Sequence, residues 1–222
     1  MGFFTDAFEN MPEDAGESFY KTVFMNDGGE YASKVRNEYY RSVLGSMGKD
    51  VSIGPGVRIV NPAGIFLGDG VKIGAGATLI AREGTVIELG KGVNVNERVY
   101  LDTEREGGYI RVGDYVYIGT GTTLFGHRGL LIGDHTLMAQ NITLTPYSHL
   151  FDDPDRNIIS QGGHCEKVTI GRDVYIGMGV CVMYSGNIGD GSVIGAGSVV
   201  VKPIPPYSVA VGCPAKVIKK RG

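Results

Sequence analysis

The sequence predicts an all-β solenoid built from three-sided coils, and two observations carry that prediction. An aliphatic residue or a methionine returns every six residues, in seven sets of three, from Met47 to Val200. Between successive sets the spacing is eight, ten, eleven, eight, twenty-six and six residues. Extra residues therefore enter at only one phase of the repeat, which indicates loops that leave a three-sided prism from one edge.

Each six-residue step combines a buried anchor with a sharp corner, as in Ile73-Gly74-Ala75-Gly76-Ala77-Thr78. The anchor points into the prism, a short strand alternates its faces, and the glycines allow the chain to turn. The 36 glycines, roughly double the usual share of about 7%, follow this punctuation. The predicted anchors are Met47, Ile53, Ile59; Leu67, Ile73, Leu79; Leu89, Val95, Leu101; Val112, Ile118, Leu124; Ile132, Met138, Leu144; Ile170, Ile176, Val182; and Ile188, Ile194, Val200.

Residues 1–46 lack the six-residue order and are interpreted as a small helical cap for the open first coil. Tyr31, Val35, Tyr39 and Val43 fit helical spacing, and Gly45 is a plausible stop. The β-solenoid body is predicted over 47–201, with an inserted loop at 145–169. Residues 202–222, which begin with a proline-rich stretch, form a closing segment with a basic end.

Composition narrows the function class and the location. The formal net charge of −3 offers no general electrostatic case for nucleic acid. No stretch approaches the roughly 18 apolar residues of a membrane span, and the start lacks the features of a secretory signal. Cys165, Cys181 and Cys213 show no CxxC spacing and are interpreted as free thiols. We therefore expect a cytoplasmic protein.

Two C-terminal stretches add to the repeat pattern, namely Ile188-Gly-Asp-Gly-Ser-Val-Ile-Gly-Ala-Gly-Ser-Val-Val-Val-Lys202 and Ile204-Pro-Pro-Tyr-Ser-Val-Ala-Val-Gly-Cys-Pro-Ala-Lys-Val-Ile218. Together with the repeat, they resemble the hexapeptide-repeat acyltransferases. Within that family, the galactoside, maltose and surface-polysaccharide O-acetyltransferases are the most similar. The resemblance covers about residues 35–220. It implies a left-handed parallel β-helix of about seven coils, although general rules favour right-handed connections. It also implies a homotrimer that binds acetyl-CoA between subunits.

Acetyl transfer to a hydroxyl needs a base that removes the hydroxyl proton, and imidazole suits that task at neutral pH. His149 lies five residues after Leu144, at the mouth of the longest insertion, in a stretch similar to the family segment that ends in the catalytic histidine. His127, one coil earlier on the same corner, stands where the sugar acetyltransferases have an acidic acceptor contact. The resemblance makes Tyr117 a second acceptor contact, whereas Gly119 stands where the family has an acceptor-binding asparagine.

The resemblance also suggests where the oxyanion and the coenzyme bind. The backbone N–H of Met178, in Tyr175-Ile176-Gly177-Met178, is the candidate oxyanion donor, because main-chain donors tolerate any side chain. Small residues are expected beside the pantetheine arm and lysines near the coenzyme phosphates. The predicted coenzyme-binding residues are Gly177, Met178, Gly195, Ala196, Gly197, Lys202, Lys216 and Lys219.

The 145–169 insertion is expected to shield the site and to shape the acceptor pocket. His135 is interpreted as an outward turn residue and His164 as a solvated loop residue. No cysteine lies in the His149 motif, so we expect direct transfer without an acyl-enzyme.

Three alternatives compete with a saccharide O-acetyltransferase. A γ-class carbonic anhydrase needs a His-x4-His pair for zinc, and the histidine spacings of eight, fourteen and fifteen lack it, so no metal is expected. An N-acetyltransferase for an amino sugar, free or linked to a nucleotide, stays open because His149 serves either acceptor. A non-catalytic scaffold solenoid would not require the His149 motif.

Overall fold

A computed structural model describes residues 23–104 and 107–222 of the chain. The described residues form a parallel β-solenoid of about seven coils with a helix near the N-terminus, which confirms the predicted left-handed β-helix. Each coil contributes one short strand to each of three sheets, A, B and C, and strands are numbered in chain order. The three sheets enclose one aliphatic core.

Sheet A contains β1 (Ser46–Met47), β4 (Ile65–Leu67), β7 (Val86–Leu89), β10 (Tyr109–Val112), β13 (Leu130–Ile132) and β18 (Val168–Ile170), and single bridges at Ile188 and Ile204 extend it. Sheet B contains β2 (Ser52–Ile53), β5 (Lys72–Ile73), β8 (Asn94–Val95), β11 (Tyr117–Ile118), β14 (Leu137–Met138), β19 (Tyr175–Ile176), β21 (Val193–Ile194), β23 (Ser208–Val211) and β24 (Lys216–Lys220). Sheet C contains β3 (Arg58–Val60), β6 (Thr78–Ile80), β9 (Tyr100–Asp102), β12 (Thr123–Phe125), β15 (Thr143–Leu144), β20 (Cys181–Val182) and β22 (Val199–Val200).

The predicted anchors stack in columns along the prism. In sheet C, Leu101 pairs with Leu79 below it and with Leu124 above it. Every anchor is buried except Met47 and Ile59, which are half-buried in the first coil. Burial of such a side chain stabilises the fold by about 1.5–3 kcal/mol relative to exposure, so the columns supply the main folding energy.

Three kinds of corner connect the sheets, and we name them by the sheets they join. The A–B edge consists of four-residue turns such as 113–116 and 133–136, and the B–C edge of four-residue turns such as 119–122 and 177–180. The C–A edge carries connections of varied length, including 61–64, 81–85, 126–129 and 145–167. The insertions are therefore confined to one edge, as the repeat predicts.

Helix α1 (Glu30–Val43) covers the first coil, and its buried side chains include an arginine and a tyrosine. Tyr31 is 71% exposed, whereas Ala32, Arg36 and Tyr40 are buried. Among the described residues no coil precedes the first one to donate to its carbonyls, and polar side chains of α1 take that role. Arg36 Nε donates to Ile53 O at 3.1 Å, and Tyr40 Oη donates to Val57 O at 3.1 Å. The spacing of apolar residues did not indicate these contacts, because here the helix satisfies backbone acceptors as well as covering the core.

The last coil is closed by a hairpin. Strand β24 pairs antiparallel with β23 at the end of sheet B, so the basic C-terminal segment is an exposed strand. No helix within the described ranges is long and apolar enough to cross a membrane.

Candidate functional site

The C–A edge gathers polar and aromatic side chains from successive coils. Its longest connection is a hairpin rather than an irregular loop. Strands β16 (Tyr147–His149) and β17 (Gly163–Cys165) pair antiparallel, and His149 lies opposite Gly163. The connection ends at residue 167, two residues before the predicted boundary, because Val168 and Thr169 already pair in sheet A.

The hairpin tip has internal order. A single 3₁₀ turn spans Ile158–Ser160, and the Gln161 side chain bridges the tip by accepting from Asp153 N at 3.1 Å and donating to Asp153 O at 2.9 Å. Large apolar side chains are exposed there, namely Leu150, Phe151, Ile158 and Ile159. The inserted segment is therefore an ordered hairpin that carries His149 at the C–A edge.

His149 presents its ring at the prism surface. Its side chain is exposed, and its ring lies edge to face with that of Tyr147, with centroids 5.0 Å apart and planes at 90°. Tyr147 Oη lies 3.4 Å from His149 Nδ1, which is the long end of the hydrogen-bond range. An exposed imidazole with one nitrogen engaged can accept a proton at the other.

His127 contacts the same tyrosine. It is 7% exposed, and its ring stacks on that of Tyr147 with centroids 5.2 Å apart and planes at 12°. Phe125 packs edge-on against His127 at 5.8 Å. The structure thus brings the two predicted histidines, His127 and His149, into contact with one ring, that of Tyr147.

Tyr147 is a residue that sequence reasoning did not select. A signal was present, because residues two apart on a strand point to the same face, which places Tyr147 beside His149. No rule of spacing indicated the stacking on His127, since that contact joins two coils across a connection of variable length.

An ion pair with a buried carboxylate lies one coil below the aromatic cluster. Asp102 is fully buried and accepts from Arg82 Nε at 3.0 Å and Arg82 Nη2 at 2.7 Å. Tyr100 Oη donates to Asp102 Oδ2 at 2.9 Å, and the Tyr100 ring packs edge-on against Phe125 at 6.1 Å. The hydrogen bond to Asp102 raises the pKa of Arg82. The pKa of Tyr100 is also raised, mainly by burial and to a smaller extent by its hydrogen bond to Asp102. Sequence reasoning gave no role to Arg82 or Asp102.

Tyr117 lies apart from the two histidines within one chain. It projects outward from sheet B, is 38% exposed, and its hydroxyl lies 3.4 Å from Asn96 Oδ1. It therefore shares no edge with His127.

The predicted oxyanion and pantetheine residues lie together at the B–C edge. Gly197 N donates to Met178 O at 2.8 Å, so the corners of coils six and seven are stacked there. A Cβ on Gly177 would lie 2.6 Å from Ala196 N, so only glycine allows this approach of the two coils. Met178, Ala196 and Gly197 are exposed. Of the predicted lysines, Lys202 follows β22 at the C–A edge, while Lys216 and Lys219 lie on β24.

The remaining histidines occupy other surroundings. His135 lies at the A–B edge, where its ring stacks on Tyr115 at 5.5 Å. His164 lies on β17, with Nε2 2.9 Å from Glu166 Oε1. The three cysteines are free thiols. Within the described residues, no group of three or more His, Cys, Asp or Glu side chains is placed to hold a metal ion.

Known proteins similar to this chain include a probable acetyltransferase of Mycobacterium tuberculosis, with 36% identity over 164 residues that cover 74% of this chain and 52% of that protein. The galactoside O-acetyltransferase of Escherichia coli is 38% identical over 134 residues, covering 60% of this chain and 63% of the enzyme. The chain thus spans between about half and two thirds of the length of these relatives. No family model matches the chain.

Among solved structures, AntD, an N-acyltransferase from Bacillus cereus in complex with dTDP and 3-hydroxybutyryl-CoA, superposes with a TM-score of 0.62 at 22% identity. The match covers 89% of this chain and 92% of AntD, and at that identity it shows a shared fold. The sequence relatives and the fold together confirm the predicted resemblance to the hexapeptide-repeat acyltransferases.

Proposed function

From its resemblance to the hexapeptide-repeat acyltransferases, we propose that this chain is an acetyl-CoA-dependent O-acetyltransferase acting on a saccharide hydroxyl. The observation that carries the proposal is His149, an exposed imidazole on a structured hairpin beside a second histidine and a tyrosine. The similarity to a galactoside O-acetyltransferase supports the saccharide acceptor. A cytoplasmic location belongs to the same proposal and is supported by three free thiols.

In this proposal His149 acts as general base. Its free ring nitrogen accepts the proton of the acceptor hydroxyl while the hydroxyl oxygen attacks the thioester carbonyl. The N–H of Met178 donates to the oxyanion of the tetrahedral intermediate. When the carbon–sulfur bond breaks, His149 returns the proton to the departing sulfur, so the products are an acetyl ester and a free thiol. His127 and Tyr117 are proposed acceptor contacts.

The surface at the B–C edge suits an extended thioester arm. Ala196 and Gly197 are exposed, and a Cβ on Gly197 would meet no atom within 4 Å, so the corner leaves open space for a ligand chain. Gly177 and Gly195 belong to the same stacked corners. Lys202, Lys216 and Lys219 are the proposed phosphate contacts, each an exposed cation near one end of the prism.

A homotrimer is part of the proposal because, within a single chain, the proposed base and the proposed oxyanion donor lie at different edges of the prism. His149 lies at the C–A edge and Met178 at the B–C edge, with sheet C between them. A ring of three identical chains can place the C–A edge of one subunit against the B–C edge of its neighbour, which completes three equivalent sites.

The first test is His149→Ala. Turnover with acetyl-CoA and a responsive sugar, followed by thiol release, should fall by a factor of about 10²–10⁴, while coenzyme A binding measured by calorimetry stays unchanged. His135→Asn at the A–B edge is the matched control, since asparagine tolerates the positive φ of 58° there. Near-normal turnover in His149→Ala would sink the assignment.

The shared site has its own test. His149→Ala and Ala196→Tyr, which blocks the arm at an exposed corner, are each expected to be inactive. If every site combines His149 of one subunit with Ala196 of its neighbour, random mixed trimers should regain about one quarter of the wild-type activity. Sites contained within single chains would regain none, and light scattering on each variant verifies the trimer.

The acceptor class is resolved by a matched panel of sugars and amino sugars, free and nucleotide-linked. Ester formation on a hydroxyl supports the proposal, and amide formation on an amine replaces it with the N-acetyltransferase alternative. Base treatment separates the products, since esters are cleaved and amides persist.

A further inference from the structure

We propose that Tyr147 is a positioning residue that selects the tautomer of His149. Its phenolic oxygen accepts a hydrogen bond from His149 Nδ1–H, which leaves the lone pair of Nε2 available for the acceptor proton. The inference rests on the proposed function, because Tyr147 would support the proposed base of that reaction without touching either substrate.

The first step is the geometry of the pair. Tyr147 Oη is 3.4 Å from His149 Nδ1, and the two rings meet edge to face. A neutral imidazole carries its proton on one nitrogen only, and the partner of one nitrogen decides which. The contact is on the Nδ1 side. With Tyr147 Oη as acceptor, the proton stays on Nδ1 and the lone pair lies on Nε2. Catalytic hydrogen bonds of this length in a ligand-free site tighten when substrate binds.

The second step is what holds the tyrosine in place. One face of its ring stacks on His127, which is buried and itself packs edge-on against Phe125. The hairpin completes the slot at Gly163, where an added Cβ would overlap Tyr147 Oη and Cζ. Tyr147 therefore lies between a buried ring and a backbone position where any added side chain would displace it.

The third step explains why such a device is needed. His149 is on an exposed hairpin strand, and the prism core does not constrain its ring. Loss of the correct tautomer in a catalytic histidine is costly even when the ring stays in position. A stack that runs from Phe125 through His127 to Tyr147 transfers the rigidity of the coils to the surface imidazole.

The proton accounting balances. In the resting state the Nδ1 proton lies in the hydrogen bond to Tyr147 Oη. Nε2 accepts the acceptor hydroxyl proton as the carbon–oxygen bond forms, and the imidazolium keeps its Nδ1–H on the tyrosine oxygen. Nε2 then gives its proton to the sulfur as the carbon–sulfur bond breaks, and Tyr147 retains its own phenolic proton throughout.

The test reads the tautomer directly. Aromatic carbon–proton correlation spectra of the ¹³C-histidine-labelled full chain distinguish the tautomers by the Cδ2 shift, and His149→Gln assigns the His149 signal. We expect mainly the Nδ1–H tautomer in the wild type and a shift toward Nε2–H in Tyr147→Phe, which keeps the stack and removes only the hydroxyl. Gly163→Ala, which displaces the ring, should shift the tautomer in the same direction.

Kinetics provide the second readout. Tyr147→Phe should lower kcat about tenfold with the KM for acetyl-CoA unchanged, because the hydroxyl acts on the base and not on coenzyme binding. Tyr115→Phe is the matched control, since it removes a hydroxyl from a tyrosine that stacks on His135 at the A–B edge. Its tautomer spectrum for His149 and its turnover should equal those of the wild type.

The inference is overturned if wild-type His149 is mainly the Nε2–H tautomer, or if Tyr147→Phe leaves the tautomer unchanged. Because the spectrum needs no turnover, it separates the two proposals. An Nδ1–H tautomer in a chain that acetylates nothing would reject the proposed function and keep the tyrosine contact.

Discussion

The A–B edge and the C–A edge both turn the chain from one sheet to the next, yet they differ in what they can carry. At the A–B edge every turn has the same length, and each coil rests directly on the next. Gly133 N donates to Ile170 O at 2.9 Å, and a Cβ on Gly133 would lie 2.6 Å from Arg172 N. Backbone contact at this distance leaves no room for functional side chains at the first turn position.

At the C–A edge the connections vary in length and move the backbone outward. This opens space for Asp102, His127, Tyr147 and His149, which come from three successive coils. Direct backbone contact between successive coils builds the prism at the A–B edge, and this constraint is relaxed at the C–A edge. Side chains capable of chemistry occupy the C–A edge for that reason.

The sharpest way to break the comparison is to insert two residues at each edge. Insertion between Asp134 and His135 should prevent folding of the chain, because it shifts the strands out of register with coils above and below. The same insertion between Asp155 and Arg156, in the hairpin tip, should leave the thermal unfolding midpoint within about 3 °C of the wild type. Circular dichroism on both variants measures this, and equal tolerance at the two edges would contradict the difference.

Shortening the hairpin separates folding from function at the C–A edge. Replacing residues 152–161 with a short glycine-containing turn should keep the prism folded and keep coenzyme A binding, since neither depends on the tip. We expect acetyl transfer to fall at least about tenfold, on the hypothesis that the tip shields the site and shapes the acceptor pocket. Full turnover in the shortened protein would show that the hairpin has no such role.

Glycine substitutions measure how tightly each edge is packed. Gly133→Ala should lower the free energy of unfolding by about 2–3 kcal/mol, because the new methyl group overlaps backbone of the next coil. Gly162→Ala at the hairpin tip meets no atom within 4 Å, and its φ of +80° limits the cost to about 1 kcal/mol. Urea denaturation gives both values, and a larger loss at Gly162 would reverse the ranking.

The smallest predicted effect concerns the ion pair beneath the aromatic stack. Arg82→Met leaves the fully buried Asp102 without its bidentate partner and should cost about 1–2 kcal/mol, reduced from the range for fully buried pairs because Arg82 is 45% exposed. Arg111→Met breaks the exposed pair with Glu88 on sheet A and should cost at most about 0.5 kcal/mol. Equal losses of unfolding free energy in the two variants would mean that burial of Asp102 at the C–A edge does not strengthen its ion pair.

Much of the fold was predictable from particular residues, and less of the site was. The columns through Leu79, Leu101 and Leu124 followed from spacing, because an inward residue every sixth position has few other arrangements. The buried face of α1 did not follow, since Arg36 and Tyr40 face the prism to satisfy its end carbonyls. His127 and His149 were placed near each other by counting coils, but the tyrosine between them was not identified.

The sequence by itself determined the period, the seven coils and the edge that carries the insertions. Each of these follows from the spacing of the anchor residues along the chain. Only the tertiary structure decided which side chains meet at that edge. Leu79 and Leu101 pair directly, yet Arg82 lies three residues after its anchor and contacts Asp102, which lies only one residue after its own. His127 likewise meets Tyr147 across connections of unequal length. Where connections differ in length, the register between coils is lost beyond the last anchor, and contacts there depend on how each connection folds.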